Sequence, residues 1–339
     1  MSAKISINPN NNFHTATETT VFDAKADEKF REYRRKWREN PERFIVEGFP
    51  LHIDIESVAV CNLRCPFCAT TNSRWGKDRR GFMDVSLYRK IIDEGAANGL
   101  CAIKLSLRGE PLLHPKLASM VEYAKKKGIM DVYFNTNAIL LTEEKFEQLI
   151  DAGLDRISIS IEGFTREVYE KFRVGATFER LLDNVSRLIE IREKRNSRTP
   201  QIRIQTVLLQ ELKDDFGTYV NFWRRYADEV SYLDAREEKN GNGGLGEAAA
   251  WACPFLWQRM TILWDGTILP CLMHGITNFG SMMLGNIKDC SIRELWQGEK
   301  ERLLREAHRN GESHRIPACV ECSYRAMEIG KLRHFGGIE

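Results

Sequence analysis

Apolar and polar residues alternate with a period of two in a series of short stretches, each followed by an amphipathic segment of helical length. Ile53 and Ile55 alternate with His52, Asp54 and Glu56, and Ile103, Leu105 and Leu107 with Lys104, Ser106 and Arg108. The pattern recurs in Val132 and Phe134 against Tyr133 and Asn135, in Ile157, Ile159 and Ile161 against Ser158 and Ser160, and in Ile202 and Ile204 against Arg203 and Gln205. This period belongs to strands with two unlike faces. It predicts strands at 51–56, 102–108, 131–136, 156–161 and 201–208, with another at 230–235. Helices are predicted near 84–98, 114–127, 142–152, 178–195 and 214–228. The fourth carries Phe178, Leu181, Leu182, Val185, Leu188 and Ile189 on one face, and Gly128 and Gly153 are placed to stop two others.

Strands alternating with helices imply a parallel sheet with right-handed crossovers. A sheet covered on both faces reads as continuous apolar runs, and a closed eight-stranded barrel is filled with branched apolar side chains. Neither fits these half-polar strands. The fold class expected is α/β: an open, six-stranded parallel β/α partial barrel whose polar face lines a ligand chamber, followed by a small cysteine-rich domain. The alternative is a one-sided sheet with its polar face in solvent. Residues 1–48 read as a polar extension and a charged helix, in which Phe30, Tyr33 and Trp37 form a packing stripe. The core spans 49–238, a glycine-rich linker 239–250 and the second domain 251–339.

Composition narrows the function. A hydrophobic share of 42% in 339 residues supports a sizeable core. With 50 basic and 48 acidic residues, the net charge of +2 gives no footprint of nucleic-acid binding. No apolar run approaches the ~20 residues of a membrane span, and no signal-peptide core is present, so the expected location is the cytoplasm. Nine clustered cysteines point to metal or redox duty over a disulfide framework.

The most informative of these cysteines form Cys61-Asn62-Leu63-Arg64-Cys65-Pro66-Phe67-Cys68, directly after the first strand. Thiolates at C-x3-C-x2-C suit zinc or an iron–sulfur cluster. A structural zinc wants a closed quartet, whereas three thiolates on a four-iron cluster leave one iron open. The run resembles the signature of the radical S-adenosylmethionine (SAM) superfamily, C-x3-C-x-aromatic-C, with Phe67 at the aromatic position. The resemblance implies that Cys61, Cys65 and Cys68 hold a [4Fe-4S] cluster whose open iron binds SAM. An electron from it cleaves SAM to methionine and a 5′-deoxyadenosyl radical that abstracts hydrogen.

Further SAM contacts are implied position by position. Gly109-Glu110-Pro111 matches the family's Gly-Gly-Glu turn, with Arg108 replacing the first glycine. Asn135-Thr136-Asn137 stands where Thr-Asn-Gly is common, leaving Asn137 or Ala138 in the glycine's place. Ser158, Ser160 and Glu162 fall in the region that contacts the ribose or methionine, and Val207 and Leu208 near adenine.

A second set comprises Cys253, Cys271, Cys319 and Cys322. Trp264-Asp265-Gly266-Thr267 makes a hairpin turn between 260–263 and 268–270, and C-x2-C follows a long helix at about 291–309. By spacing alone, zinc and a cluster fit this quartet equally well. The segment is similar to the family's auxiliary-cluster region, SPASM or its shortened relative, twitch, as in the twitch-bearing 2-deoxy-scyllo-inosamine dehydrogenases. Glu328 stands where the full pattern has another cysteine, so the resemblance implies a single auxiliary [4Fe-4S] cluster.

Fully ligated, such a cluster suits electron transfer. The expected activity is therefore a radical SAM oxidoreductase that dehydrogenates a polar small molecule such as a sugar, aminocyclitol or sugar nucleotide. A flavodoxin or ferredoxin would serve as reductant. Glu162, then Asp54 and Glu56, are the candidate proton acceptors. Cys101 and Cys290 each read as a small buried hydrophobe; the sharper alternative, with Cys290 the better candidate, is a hydrogen donor, which would make the enzyme an epimerase. The alternatives are peptide or protein modification and a nonenzymatic iron–sulfur or zinc protein.

Overall fold

The computed structural model describes residues 5–9, 13–18, 27–68, 71, 80–234, 250–273 and 282–334. The linker expected at 239–250 lies outside them apart from Ala250. In chain order the strands are β1 (Phe13–Thr15), β2 (His52–Ile55), β3 (Ala102–Lys104), β4 (Asp131–Thr136), β5 (Arg156–Ser160), β6 (Gln201–Leu208), β7 (Glu229–Asp234), β8 (Arg259–Ile262), β9 (Thr267–Leu269) and β10 (Gly285–Asn286). The longer helices of the barrel are α1 (Glu28–Glu42), α2 (Val85–Ala97), α3 (Leu117–Lys126), α4 (Glu143–Asp151), α5 (Arg166–Phe172), α6 (Phe178–Val185), α7 (Leu188–Lys194) and α8 (Phe216–Trp223). Beyond them come α9 (Ile292–Trp296), α10 (Glu299–Arg309) and α11 (Ser323–His334). No helix among the described residues is long and apolar enough to cross a membrane.

Strands β2 to β7 lie side by side in chain order, all parallel, as the alternating pattern predicts. The sheet then continues past the expected six strands. β8 pairs in parallel with β2, the hairpin β8–β9 and β10 extend that side, and β1 covers the other edge antiparallel to β7. The hairpin turns where expected, with Gly266 at φ +92° supplying the left-handed conformation.

The apolar face of each parallel strand meets the helices. Ile53, Ile103, Val132, Ile157, Ile202 and Val230 are all completely buried, each contributing roughly 1.5–3 kcal/mol. Two predicted helices are interrupted. The 178–195 segment divides into α6 and α7 at Arg187 (φ −94°, ψ −12°), yet Phe178, Leu181, Val185, Leu188 and Ile191 still form one buried stripe. The 291–309 segment breaks at Gly298, whose extended ψ of 165° ends α9 and starts α10. That glycine was the overlooked signal.

The polar face is where the sequence reading needs correction. It is neither exposed nor a chamber over its full height, because its lower half is a packed layer of charges. Asp54 pairs with Lys104 (2.7 Å) and Arg259 (3.4 Å), Asp131 with Arg156 (2.6 Å), and Glu229 with Arg203 (2.8 Å). His52 stacks on Tyr133 at 5.8 Å, and Arg156 lies over the same ring at 3.8 Å. Helix α1 seals this layer from below: Phe30, Tyr33 and Trp37 are buried, and Trp37 packs edge-on to His52 and beneath Arg259. Burial works to raise the Asp54 carboxyl, but Lys104 and Arg259 hold it below the usual range. Asp54 is thus a floor residue with no path to a substrate, not a proton acceptor.

Removing one member of such a pair strands the other in a dry site, at a cost of about 3–5 kcal/mol. Asp131→Asn should lower the urea midpoint by that equivalent; an unchanged midpoint would show that the floor does not stabilise the barrel. A second expectation concerns Glu301 on α10, completely buried with Arg305 (3.9 Å) as its ion-pair partner among the described residues. Burial pushes its carboxyl up from 4.5 to about 8, with Arg305 opposing. The native state therefore keeps a proton that the unfolded chain has already released, and this group's contribution to stability falls as pH rises through that window. Between about pH 5 and about pH 8, wild-type stability should decline relative to Glu301→Gln, and parallel pH profiles would refute it.

Candidate active site

The cysteine loop leaves β2 at the carboxyl end of the sheet and is held by its neighbours. Gly109 lies so close beneath it that a Cβ there would stand 2.3 Å from the Val58 carbonyl oxygen and 2.6 Å from that of Val60. The next residue, Glu110, donates its backbone N–H to Val60 (2.9 Å). Its buried carboxylate accepts from Leu112 N–H (3.1 Å), Thr136 Oγ1 (2.7 Å) and Asn137 N–H (2.9 Å). Burial raises the Glu110 carboxyl despite these bonds. The carboxylate is therefore committed to joining the β3 and β4 ends, which leaves the backbone of this turn to face a ligand.

The β4 end completes the clamp. Asn137 donates to Asn62 Oδ1 (2.9 Å) and reaches within 3.9 Å of Cys61 Sγ. Ala138, not Asn137, takes the glycine-like conformation, with φ +60°. Leu63 N–H points at Cys61 Sγ (3.5 Å), and an Arg173 guanidinium nitrogen lies 3.9 Å from Cys65 Sγ. Arg173 also binds Glu162 and lies over the Phe67 ring at 5.6 Å. Burial pushes the Cys65 thiol up to about 11, with Arg173 opposing. Three sulfurs on one loop, with N–H donors already aimed at two of them, fit a thiolate-bound cluster.

Ser158 and Ser160 share the inner face of β5, beside Asn135 on β4 and Gln205 on β6. Ser160 Oγ accepts from Gln205 (3.2 Å), Asn135 is half-buried and Ser158 buried. Val207 and Leu208 are half-buried at the end of β6. The remaining proton-acceptor candidates are both paired: Glu162 with Arg173, and Glu56 with Arg108 in a bidentate bridge that Trp264 N–H joins at 3.3 Å. The unexpected Arg108 thus ties the β3 end to β2. Arg173 was missed by sequence reasoning; the turn Arg173-Val174-Gly175, with Gly175 at φ +99°, was the available signal.

The second quartet is assembled as expected. Cys253, Cys271, Cys319 and Cys322 line one cavity with Trp251, Phe255, Met273 and Tyr324. Burial pushes the Cys319 thiol up to about 12, so metal binding must displace its proton. His308, also missed, accepts from Cys253 N–H and faces Cys319. Four thiols around one cavity suit a thiolate-bound metal centre, zinc or an iron–sulfur cluster. Glu328 is held by Asn8 (3.3 Å) and Lys331 (3.4 Å) instead of taking part.

Cys290 joins neither set. Its turn follows β10 against the outer helix α2, where Lys90 donates to the Ile287 carbonyl and Arg293 N–H binds Glu94 (2.9 Å). The hydrogen-donor role expected for it has no geometric support. Cys101 packs with α1 under the barrel floor.

Comparison with known proteins agrees with this geometry. Residues 55–206 match the model of the radical SAM superfamily, and residues 253–323 match SPASM, an iron–sulfur cluster-binding domain. The chain is 23% identical over 322 residues to the tungsten-containing aldehyde ferredoxin oxidoreductase cofactor-modifying protein of Pyrococcus furiosus, covering 81% of this chain and 87% of that one. A probable GTP 3′,8-cyclase of Methanococcus maripaludis is 35% identical over 133 residues, 39% of this chain and 43% of that protein. The fold is shared with BtrN, solved in complex with AdoMet and 2-DOIA, at TM-score 0.53 and 19% identity, covering 82% of this chain and 94% of that one.

Gly109→Ala should displace the loop and cut the iron retained after anaerobic reconstitution to roughly half, the share of the C-terminal quartet. SAM binding by dialysis should fall with it; full iron and full binding would show that the close approach is dispensable. The chain thus carries a radical SAM superfamily domain at residues 55–206, followed at residues 253–323 by an iron–sulfur cluster-binding SPASM domain.

Proposed function

We propose that the protein oxidises a polar small molecule by two electrons, the substrate giving up a hydrogen atom and then a proton and an electron. The observation that carries this reading is the second quartet, four cysteines lining one cavity, enough to ligate a cluster fully. When bound, SAM and the loop cluster supply the hydrogen-abstracting radical, and a cluster on the quartet supplies an acceptor for the remaining electron.

The chain's own residues place the reactants. Gly109, Glu110 and Asn137 fix the loop, while Arg173, oriented by Glu162, sets a positive charge beside Cys65 and Phe67. Asn135, Ser158, Ser160 and Gln205 give the upper inner wall its hydrogen-bonding groups. Such a wall suits a hydroxylated or aminated substrate. Two matched relatives are named for a cofactor and for GTP, both small molecules. The floor and α1 close the barrel below, so substrate enters at the cysteine-loop end. In this reading residues 49–238 make the radical, 251–339 take the electron, and a flavodoxin or ferredoxin reduces the loop cluster.

Anaerobically reconstituted protein given dithionite and SAM should form 5′-deoxyadenosine, and Cys61→Ala should not. With a metabolite extract, one small compound should vanish in step with 5′-deoxyadenosine. Once that compound is known, Cys253→Ala should still cleave SAM while losing its oxidation about 100-fold or more, a transition-state loss of about 3 kcal/mol. Consumption of a peptide instead, or undiminished oxidation by Cys253→Ala, would overturn the proposal.

A further inference from the structure

A closed cluster has no free coordination site, so the protein tunes it through the groups facing its sulfurs. His308 is such a group. It sits on α10, 1% exposed, with its ring edge-on to Trp251 at 6.0 Å. The backbone N–H of Cys253 can only donate, and it lies 3.1 Å from His308 Nδ1. That nitrogen must therefore accept, which makes the ring neutral and puts its one proton on Nε2. Nε2 is 3.5 Å from Cys319 Sγ. One quartet residue thus fixes the tautomer, and the tautomer directs an N–H at the sulfur of another. A protonated Nε2 has no lone pair for a metal, so His308 is not a ligand.

Arg325 acts in the same direction. Also 1% exposed, it lines the quartet cavity, interacts electrostatically with Cys319 and Cys322, and is anchored by Nε on Ser313 Oγ at 3.0 Å. A hydrogen bond to a ligand sulfur and a buried cation both stabilise the more negative redox state of a cluster. We propose that His308 and Arg325 are positioning residues that raise the reduction potential of the auxiliary cluster and so make it an electron acceptor. The inference rests on the reading of the quartet as an electron acceptor.

The test uses the full chain with Cys61, Cys65 and Cys68 changed to alanine, so that only the quartet carries a cluster. In an EPR-monitored redox titration, His308→Leu and Arg325→Gln should each shift the reduction equilibrium at least tenfold toward the oxidised form, about 59 mV for one electron. His308→Gln, whose amide can accept from Cys253 and donate to Cys319, should stay near the parent. Unshifted potentials in the first two variants, with iron content intact, would overturn the proposal. Because His308→Leu also strips a partner from Cys253 N–H and can fail to assemble, a second readout leaves His308 in place. With 15N-labelled histidine, pulsed EPR of the reduced cluster should show a weak histidine-nitrogen coupling. No coupling, or the strong coupling of a directly bonded nitrogen, would sink the idea. Neither measurement involves substrate, whereas the electron-acceptor reading fails on substrate oxidation by Cys253→Ala; the two failures are distinguishable.

Discussion

The mouth of this barrel depends on one close approach, the backbone of Gly109 lying against the Val58 and Val60 carbonyls. A loop bearing three thiols has little to hold it, because its residues lie outside the strands and its sulfurs must stay available. The hold comes from the adjoining strand ends. Gly109 admits the contact, Glu110 extends it to Thr136 and Asn137, and Asn137 returns to Asn62 and Cys61. The circuit passes from β2 to β3 to β4 and back, so the cysteine loop inherits the rigidity of the sheet. Arg173 closes it from the other side through Cys65 and Glu162.

Beneath the mouth, the barrel solves a different problem. An open parallel sheet with a polar inner face must satisfy that face without letting water fill the interior. Here the charges of the lower layer pair with one another through Asp54, Lys104, Arg259, Asp131, Arg156, Arg203 and Glu229, under the aromatic cover of α1, while both ring nitrogens of His52 stay without a hydrogen-bond partner among the described residues. Buried ion pairs are not efficient stabilisers compared with apolar packing. Their effect is to make a rigid floor, so that the wall above it is the part with polar groups left to face a ligand.

How much of this was legible in the sequence follows from what each signal measures. Alternating isoleucines identify strands and their apolar face, so β2 and β4 to β7 were readable to within about one residue, whereas β3 stops at Lys104 and not at the expected 108. Alternation does not report depth along a strand: Asp54 and Ser158 obey the same period, yet one belongs to the sealed floor and the other to the upper wall. Cysteine spacing identified the first sulfur set because thiols near one another in sequence remain near one another on a loop; the second, spread from Cys253 to Cys322, is brought together only by the fold. Arg173 and His308 escaped because their partners are remote in the chain, and a lone arginine or histidine carries no pattern. Cys290 is the converse case: it lies between quartet members in sequence, whereas its turn after β10 packs against α2 and the quartet's cavity is lined without it.

Strand β8 belongs by sequence to the second domain, yet it hydrogen-bonds along the whole of β2, immediately before the cysteine loop. The cysteine loop and the segment carrying Cys253 and Cys271 are therefore mounted on one continuous sheet, a common ruler. Strand pairing leaves no hinge between these two mounts, so the separation of the two sulfur sets is a property of the fold and does not change with whatever occupies the mouth.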